Sequence, residues 1–258
     1  MSYSFKKTGT FITITAVAFS ILTLTPTFSQ AKSTYKTASV EQFREVQPNK
    51  TVHIFSKPSA NSKKYVKLPK NSGVVVTGQT KNGFSKIRYQ FQYAYVKTSA
   101  LKKVSAKTGT HYARDISKKY RYDVPMNAGS IYARTFTASF LKTYKPSPAV
   151  TNFWFYKSSP TQFGITEYDT SKGLYTGDIE DGYLSLSIKY PIKKNLIWSG
   201  ELGQKTKITQ TKATVKTKAG TFKNVVVTQN GKMTYYYAPN KGLIQTKDQG
   251  KTFIQLTK

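Results

Sequence analysis

The sequence contains no cysteine and only two histidines, His53 and His111. The first absence excludes disulfides, thiolate zinc sites, iron–sulfur clusters, a thiol nucleophile and a lipid-anchored cysteine. The second leaves little material for histidine-based metal or proton-relay chemistry, so no metal site and no cofactor are expected. Acidic residues are scarce as well. Eleven Asp+Glu stand against 41 Lys+Arg in 258 residues, a formal net charge of +30. There is no carboxylate between Glu45 and Asp115, nor between Glu201 and Asp248, and both stretches are dense in lysine. Hydrophobic residues make up 38% and aromatics 14% of the chain, which is enough for packed cores and argues against wholesale disorder.

What is present begins with a targeting pattern. Lys6 and Lys7 precede an uncharged run over 11–24, a break at Pro26 and the small-x-small sequence Ser29-Gln30-Ala31. These are the basic, hydrophobic and cleavage regions of an export signal. Thr10, Thr13, Thr15 and Thr23 make the run less apolar than a membrane span of ~20 residues. Residues 1–31 are therefore expected to be a signal peptide whose removal leaves 39 basic against 11 acidic residues, a net +28. No second hydrophobic span follows, so the mature chain is expected to be secreted and soluble. No sortase-type Leu-Pro-x-Thr-Gly signal is present, and retention at a surface is expected to be non-covalent. An exported chain without cysteine suits an envelope that does not rely on disulfides, such as a Gram-positive-type cell wall.

The charge points to the partner. Exposed lysines without acidic neighbours raise a positive potential that concentrates polyanions and speeds their capture. Lysine outnumbers arginine 36 to 5, which favours diffuse attraction over bidentate phosphate reading. Teichoic acid, acidic lipid headgroups and extracellular nucleic acid all meet that description.

Residues 32–46 are expected to be a linker. Over 47–103, short apolar runs alternate with turn signals: strands are expected at 51–55, 65–68, 74–77, 84–90 and 93–96, with a tight turn at Lys81-Asn82-Gly83. Five short strands in so short a stretch predict a small closed barrel. Val52, Ile54, Val66, Leu68, Val74, Val76, Ile87 and Val96 are its expected core. Tyr65, Phe84, Tyr89, Phe91, Tyr93 and Tyr95 are more aromatics than it can bury. Exposed rings beside lysines can stack on sugars or bases while the ammonium groups hold anions.

Several of these residues together resemble the bacterial SH3-like (SH3b) family of exported envelope proteins. They are Val52-His53-Ile54-Phe55-Ser56-Lys57-Pro58-Ser59, Val66-Lys67-Leu68-Pro69-Lys70, Val74-Val75-Val76-Thr77-Gly78, Asn82-Gly83-Phe84-Ser85-Lys86-Ile87 and Ala94-Tyr95-Val96-Lys97-Thr98-Ser99-Ala100-Leu101. Phe84 and Ala94 stand where the family usually has Trp and Gly. The resemblance implies attachment to peptidoglycan or another wall component. Within it, Lys63, Lys64, Lys67 and Arg88 are the candidate charge contacts and Tyr89, Tyr93 and Tyr95 the candidate stacking residues.

Residues 104–121 read as a polar connector with at most a turn or two of helix over 111–121. Residues 122–258 read as an antiparallel β domain, a half-barrel or sandwich, built from recurrent hairpins. The clearest joins the Val run over 224–229 to the Tyr run over 232–237 through Asn230-Gly231, a register that pairs Val226 with Tyr235 and Val225 with Tyr236. Leu184, Leu186 and Ile188 alternate with Ser185 and Ser187 as one more strand. Residues 131–144 fit both a helical stripe and a strand; their three threonines favour strand. Residues 215–225 with 235–244 resemble the end of an uncharacterised β domain of exported Gram-positive proteins, which implies a curved antiparallel sheet and no catalytic residues. The whole is thus expected to be mainly β, a small SH3-like barrel followed by an antiparallel sheet domain.

Enzyme motifs are weak. Ser139-Phe140-Leu141-Lys142, Lys107-Thr108-Gly109 and Ser59-Ala60-Asn61 match penicillin-binding strings singly but in reversed order. His111 and Asp115 could join a serine in a triad, yet no nucleophile elbow is visible. Glu167, Asp169, Asp178, Glu180 and Asp181 lack calcium-loop spacing and read as hairpin turns. No enzymatic activity is expected. The reading is a non-enzymatic envelope protein binding peptidoglycan or teichoic acid. The alternatives are an apolar-ligand carrier or inhibitor acting through the C-terminal β domain, and an extracellular nucleic-acid binder.

Overall fold

The alternating runs do form strands. The computed structural model describes residues 35–47, 49, 51–124, 135–144, 147–157, 162–200 and 204–258, and the expected signal peptide over 1–31 lies outside them. Among the described residues no helix is long and apolar enough to cross a membrane.

The N-terminal module contains β1 (Phe43–Val46), β2 (His53–Phe55), β3 (Lys64–Lys67), β4 (Gly73–Val75), β5 (Gly78–Gln79), β6 (Phe84–Tyr89), β7 (Gln92–Lys97) and β8 (Leu101–Lys103). They make a three-stranded sheet in the order β4-β1-β8 and a five-stranded sheet in the order β3-β2-β7-β6-β5. Of the expected core, Val52, Ile54, Leu68, Val74, Val76, Ile87 and Val96 are buried together, with Ala94 added; Val66 is only half-buried and turns toward a cavity described below. Phe84 is buried against Phe55, ring edge to face at 5.8 Å.

Strand β1 lies within the 32–46 stretch. It pairs with β4 and β8, and its Phe43 reaches out of the module to meet the rings of Tyr168 and Tyr175 at 5.1 and 4.7 Å. Gly73 lies directly under that ring: a Cβ there would sit 2.0 Å from Phe43 Cζ, so only glycine fits. Gly73 also exchanges two backbone hydrogen bonds with Leu184, of 2.9 and 2.7 Å. The two parts of residues 35–258 are thus joined by a buried aromatic cluster and a β-bridge.

The remaining strands are β9 (Tyr120–Asp123), β10 (Thr135–Tyr144), β11 (Ser147–Lys157), β12 (Gln162–Asp169), β13 (Gly173–Gly177), β14 (Ser185–Lys189), β15 (Ile197–Ser199), β16 (Lys205–Thr217), β17 (Gly220–Asn230), β18 (Met233–Ala238), β19 (Gly242–Asp248) and β20 (Lys251–Thr257). They form one antiparallel sheet of twelve strands, nearly closed into a barrel, in the order β14-β13-β12-β11-β10-β9-β20-β19-β18-β17-β16-β15. Successive hairpins run outward from β9 to β14, and the return from β15 ends with β20 against β9. The remaining seam lies between β14 and β15, where Trp198 Nε1 donates to Leu186 O at 2.7 Å.

Two local expectations change. The β17–β18 hairpin pairs Val226 with Tyr237 and Val227 with Tyr236, and its loop is Gly231-Lys232 rather than Asn230-Gly231. Gly231 takes the positive φ of 57° at the first loop position, where glycine is unstrained, while Asn230 stays in the strand opposite Met233. The shift of the pairing is by two residues, so the same side chains share a face. The second change concerns 111–121, which contains no helix and is not a solvated connector. Tyr112, Ala113, Arg114 and Asp115 are buried. Tyr35 donates to Ala113 O at 2.8 Å, Asn240 N to His111 O at 2.8 Å, and the Asp115 carboxylate accepts from the amide and hydroxyl of Ser117 at 2.9 and 2.7 Å.

Candidate functional site

Antiparallel pairing of β6 with β7 sets Lys86 opposite Tyr95 and Arg88 opposite Tyr93, so these four share one face. The Lys86 ammonium lies 3.5 Å from the centre of the Tyr93 ring, and the Arg88 guanidinium is 5.4 Å from it. Tyr93 is 44% exposed, and Tyr95 is half-buried beside Phe55. Tyr89 has the parity of core Ile87 and goes to the opposite face, where it stacks on Tyr65 at 5.3 Å with Lys63 Nζ 5.6 Å from the Tyr65 ring. Lys64 and Lys67 are exposed on β3. The structure thus places the expected stacking residues on two faces. Arg88 is not a free cation, because Glu180 pairs with it at 3.1 Å.

Glu180 does more than neutralise Arg88. The β6–β7 loop is Gln90-Phe91, both at positive φ, 48° and 61°, a conformation costly for any side chain other than Gly, Asn or Asp. Gln90 N donates to Glu180 O at 2.7 Å and Phe91 N to a Glu180 carboxylate oxygen at 2.6 Å. The short helical turn carrying Glu180 ends at Gly182, whose φ of 81° and close contact with Ile54 and Tyr89 leave no room for a Cβ. Held this way, the loop presents Phe91 at 82% exposure, the most exposed large hydrophobic residue among those described.

Behind this loop is a cavity of about 620 Å³. Val66, Tyr89 and Gln90 form one side of its mouth and Asp178, Glu180 and Asp181 another. Its walls come from β12, β13 and β14 at one end of the large sheet and from β16, β17, β18 and β19 at the other, so the curl of the sheet encloses it. The walls are rich in hydroxyls. Thr176 and Ser187 are hydrogen-bonded at 2.6 Å, and Ser187 also bonds the phenol of Tyr237, which burial pushes above its usual pKa.

At the inner end is an ion pair that sequence reading missed. Arg114, 2% exposed, donates to the Glu167 carboxylate from its guanidinium at 3.2 Å and from its backbone N–H at 2.9 Å. Arg114 Nε also donates to the Tyr122 phenol at 2.9 Å, and the rings of Tyr122, Trp154 and Tyr156 surround the guanidinium at 5.5 Å. Burial pushes the Glu167 carboxyl above the usual carboxylate range, opposed by Arg114 and by hydrogen bonds from Arg114 and Trp154. At the mouth, burial followed by the nearby Asp178 charge raises Asp181. The only available signal was the rarity of carboxylates: four of the chain's eleven line this one cavity.

No protein-family model, curated protein or solved structure matches the chain.

His111 pairs with Asp169 at 2.9 Å, not with Asp115, because Asp115 is committed to Ser117 and to the amide of Lys36. Asp169 also accepts from Tyr190 at 2.9 Å, and the Tyr35 ring packs 4.9 Å from His111. Among the described residues no serine or threonine hydroxyl is hydrogen-bonded to His111. A second cavity of about 490 Å³ beside it is lined by Lys107, Thr108, Thr110 and Tyr190.

Proposed function

We propose that the protein is an exported, non-enzymatic component of a Gram-positive-type cell envelope that binds anionic wall polymer and peptidoglycan through its basic N-terminal module. One observation carries this reading: among the described residues a single lysine, Lys218, takes part in an ion pair. Glu167, Glu180 and Asp169 are committed to Arg114, Arg88 and His111, so among the described residues no lysine other than Lys218 has an ion-pair partner. Unpaired ammonium groups at this density attract polyanions over distances set by the Debye length, ~8 Å at physiological salt. The Lys86–Tyr93 pair and the exposed Phe91 supply shorter-range contacts for a polymer already captured.

The test is co-sedimentation of the purified protein with wall sacculi that carry or lack teichoic acid, across a salt series. Retention on teichoic acid-bearing walls is expected to fall at least about tenfold when salt rises from roughly 50 to 200 mM, as multi-contact binding to a polyanion does. Retention unchanged at half-molar salt removes the electrostatic mechanism. Replacement of Tyr93 by alanine is expected to lower affinity about tenfold without altering the salt slope, since stacking contributes roughly 1–3 kcal/mol per ring. Equal affinity of that variant confines binding to the lysines.

A further inference from the structure

The cavity enclosed by the large sheet differs from the surface in charge. Among the described residues no lysine lines it, although lysine is one residue in seven of the sequence, whereas four carboxylates do. Two of those are already neutralised, Glu167 by Arg114 and Glu180 by Arg88. Asp178 and Asp181 have no ionic partner among the described residues, and Asp178 spends one oxygen on the Glu180 amide. Inside a strongly cationic protein the cavity mouth is therefore locally negative. Charges beyond ~8–10 Å are screened by salt, so the aspartates that line the cavity act on a ligand there more strongly than lysines outside that range do.

Independently of the carboxylates, the walls hold unmet hydrogen-bonding groups. Asn230 Oδ1 is buried, lines the cavity and has no hydrogen-bond partner among the described residues. Thr228, 1% exposed, also lines it, and no described residue hydrogen-bonds its hydroxyl. Leaving a buried acceptor unpaired is destabilising, a cost that a hydroxylated ligand removes. A volume of about 620 Å³ is within the range of small-molecule sites and admits a molecule of one or two sugar rings.

We propose that this cavity binds a small polyhydroxylated molecule carrying a protonated amine, with the ammonium group held at the mouth by Asp178 and Asp181 and the hydroxyls received by Thr228 and Asn230. Such a ligand differs from the polyanion met by the outer surface, so the two sites are independent. An amino sugar and an aminoacylated polyol both present this chemistry.

Isothermal titration calorimetry of the purified protein separates the sources, with D-glucosamine in one arm and the alanyl ester of glycerol in another, at a mildly acidic pH where both amines are protonated. N-acetylglucosamine and glucose serve as uncharged counterparts. At least one amine is expected to bind about tenfold or more tightly than its uncharged counterpart, the difference made by a charged hydrogen bond. The double replacement Asp178→Asn with Asp181→Asn is expected to abolish that preference. Asparagine retains the capping role of Asp178, so the variant is expected to fold, which its unchanged urea midpoint checks. Asp248→Asn, which removes a carboxylate outside the cavity, is expected to bind the amine as the parent does. Binding of neither amine, equal binding of the uncharged sugars, or an undiminished preference in the double variant overturns the proposal. None of these outcomes alters the sacculus result, which tests the outer surface alone.

Discussion

Replacing Glu167 with glutamine is expected to lower the unfolding free energy by about 3–5 kcal/mol, the cost of leaving a buried charge without its partner. The partner in question is Arg114, enclosed by Tyr122, Trp154 and Tyr156 and unable to shed its proton. Arg114→Met is expected to behave differently, because the carboxyl left behind can take up a proton. In that variant the Glu167 pKa is raised in the folded state relative to the unfolded chain. The penalty is therefore smallest below the ordinary glutamate range, near pH 4, and grows as pH rises through the folded-state value. The Arg114→Met, Glu167→Gln double variant is expected to be more stable than the sum of the two single losses predicts. Urea denaturation at several pH values measures all three. Single variants that each cost less than about 1 kcal/mol, or an Arg114→Met penalty independent of pH, mean that water rather than the opposite charge solvates these groups.

Trp198→Ala is expected to cost about 3–5 kcal/mol, the usual range for deleting a buried tryptophan. The mechanism is specific to the seam. Strands β14 and β15 are the two edges of the twelve-stranded sheet, and the indole of Trp198 both packs in the core and donates to Leu186 O across the gap. Unpaired strand edges are weak points of a sheet. Trp198→Phe keeps most of the packing but orphans that carbonyl, an expected loss of about 1–2 kcal/mol. Amide hydrogen exchange separates the effects: both variants are expected to exchange faster in β14 and β15 than in β9 and β20. A uniform increase across the sheet makes Trp198 a core residue and nothing more.

The strands were legible because period-2 alternation and turn residues are local properties. Leu186 and Ile188 are buried where their alternation with Ser185 and Ser187 placed them, and Thr135–Tyr144 is a strand as its threonines indicated. The β17–β18 loop was misplaced by one residue because Asn-Gly and Gly-Lys both supply a residue that tolerates positive φ, and only the pairing of the flanking strands chooses between them. Tyr89 was grouped with Tyr93 and Tyr95 by proximity in sequence, although the parity of buried Ile87 assigns it to the other face. The buried segment over 111–121 was hidden for a different reason. Arg114 and Asp115 read as polar, and their partners Glu167 and Tyr120 lie 53 and 5 residues away, one of them reachable only through the sheet.

The amino-acid sequence alone determined the mainly β architecture and the surplus of positive charge, since both follow from residue type and short-range order without reference to where distant segments lie. Which carboxylates meet which cations, and that opposite ends of one sheet enclose a cavity, was decided only when β12–β14 and β16–β19 were brought face to face. Electrostatic pairing and enclosure depend on distances through space, and separation along the chain does not fix them.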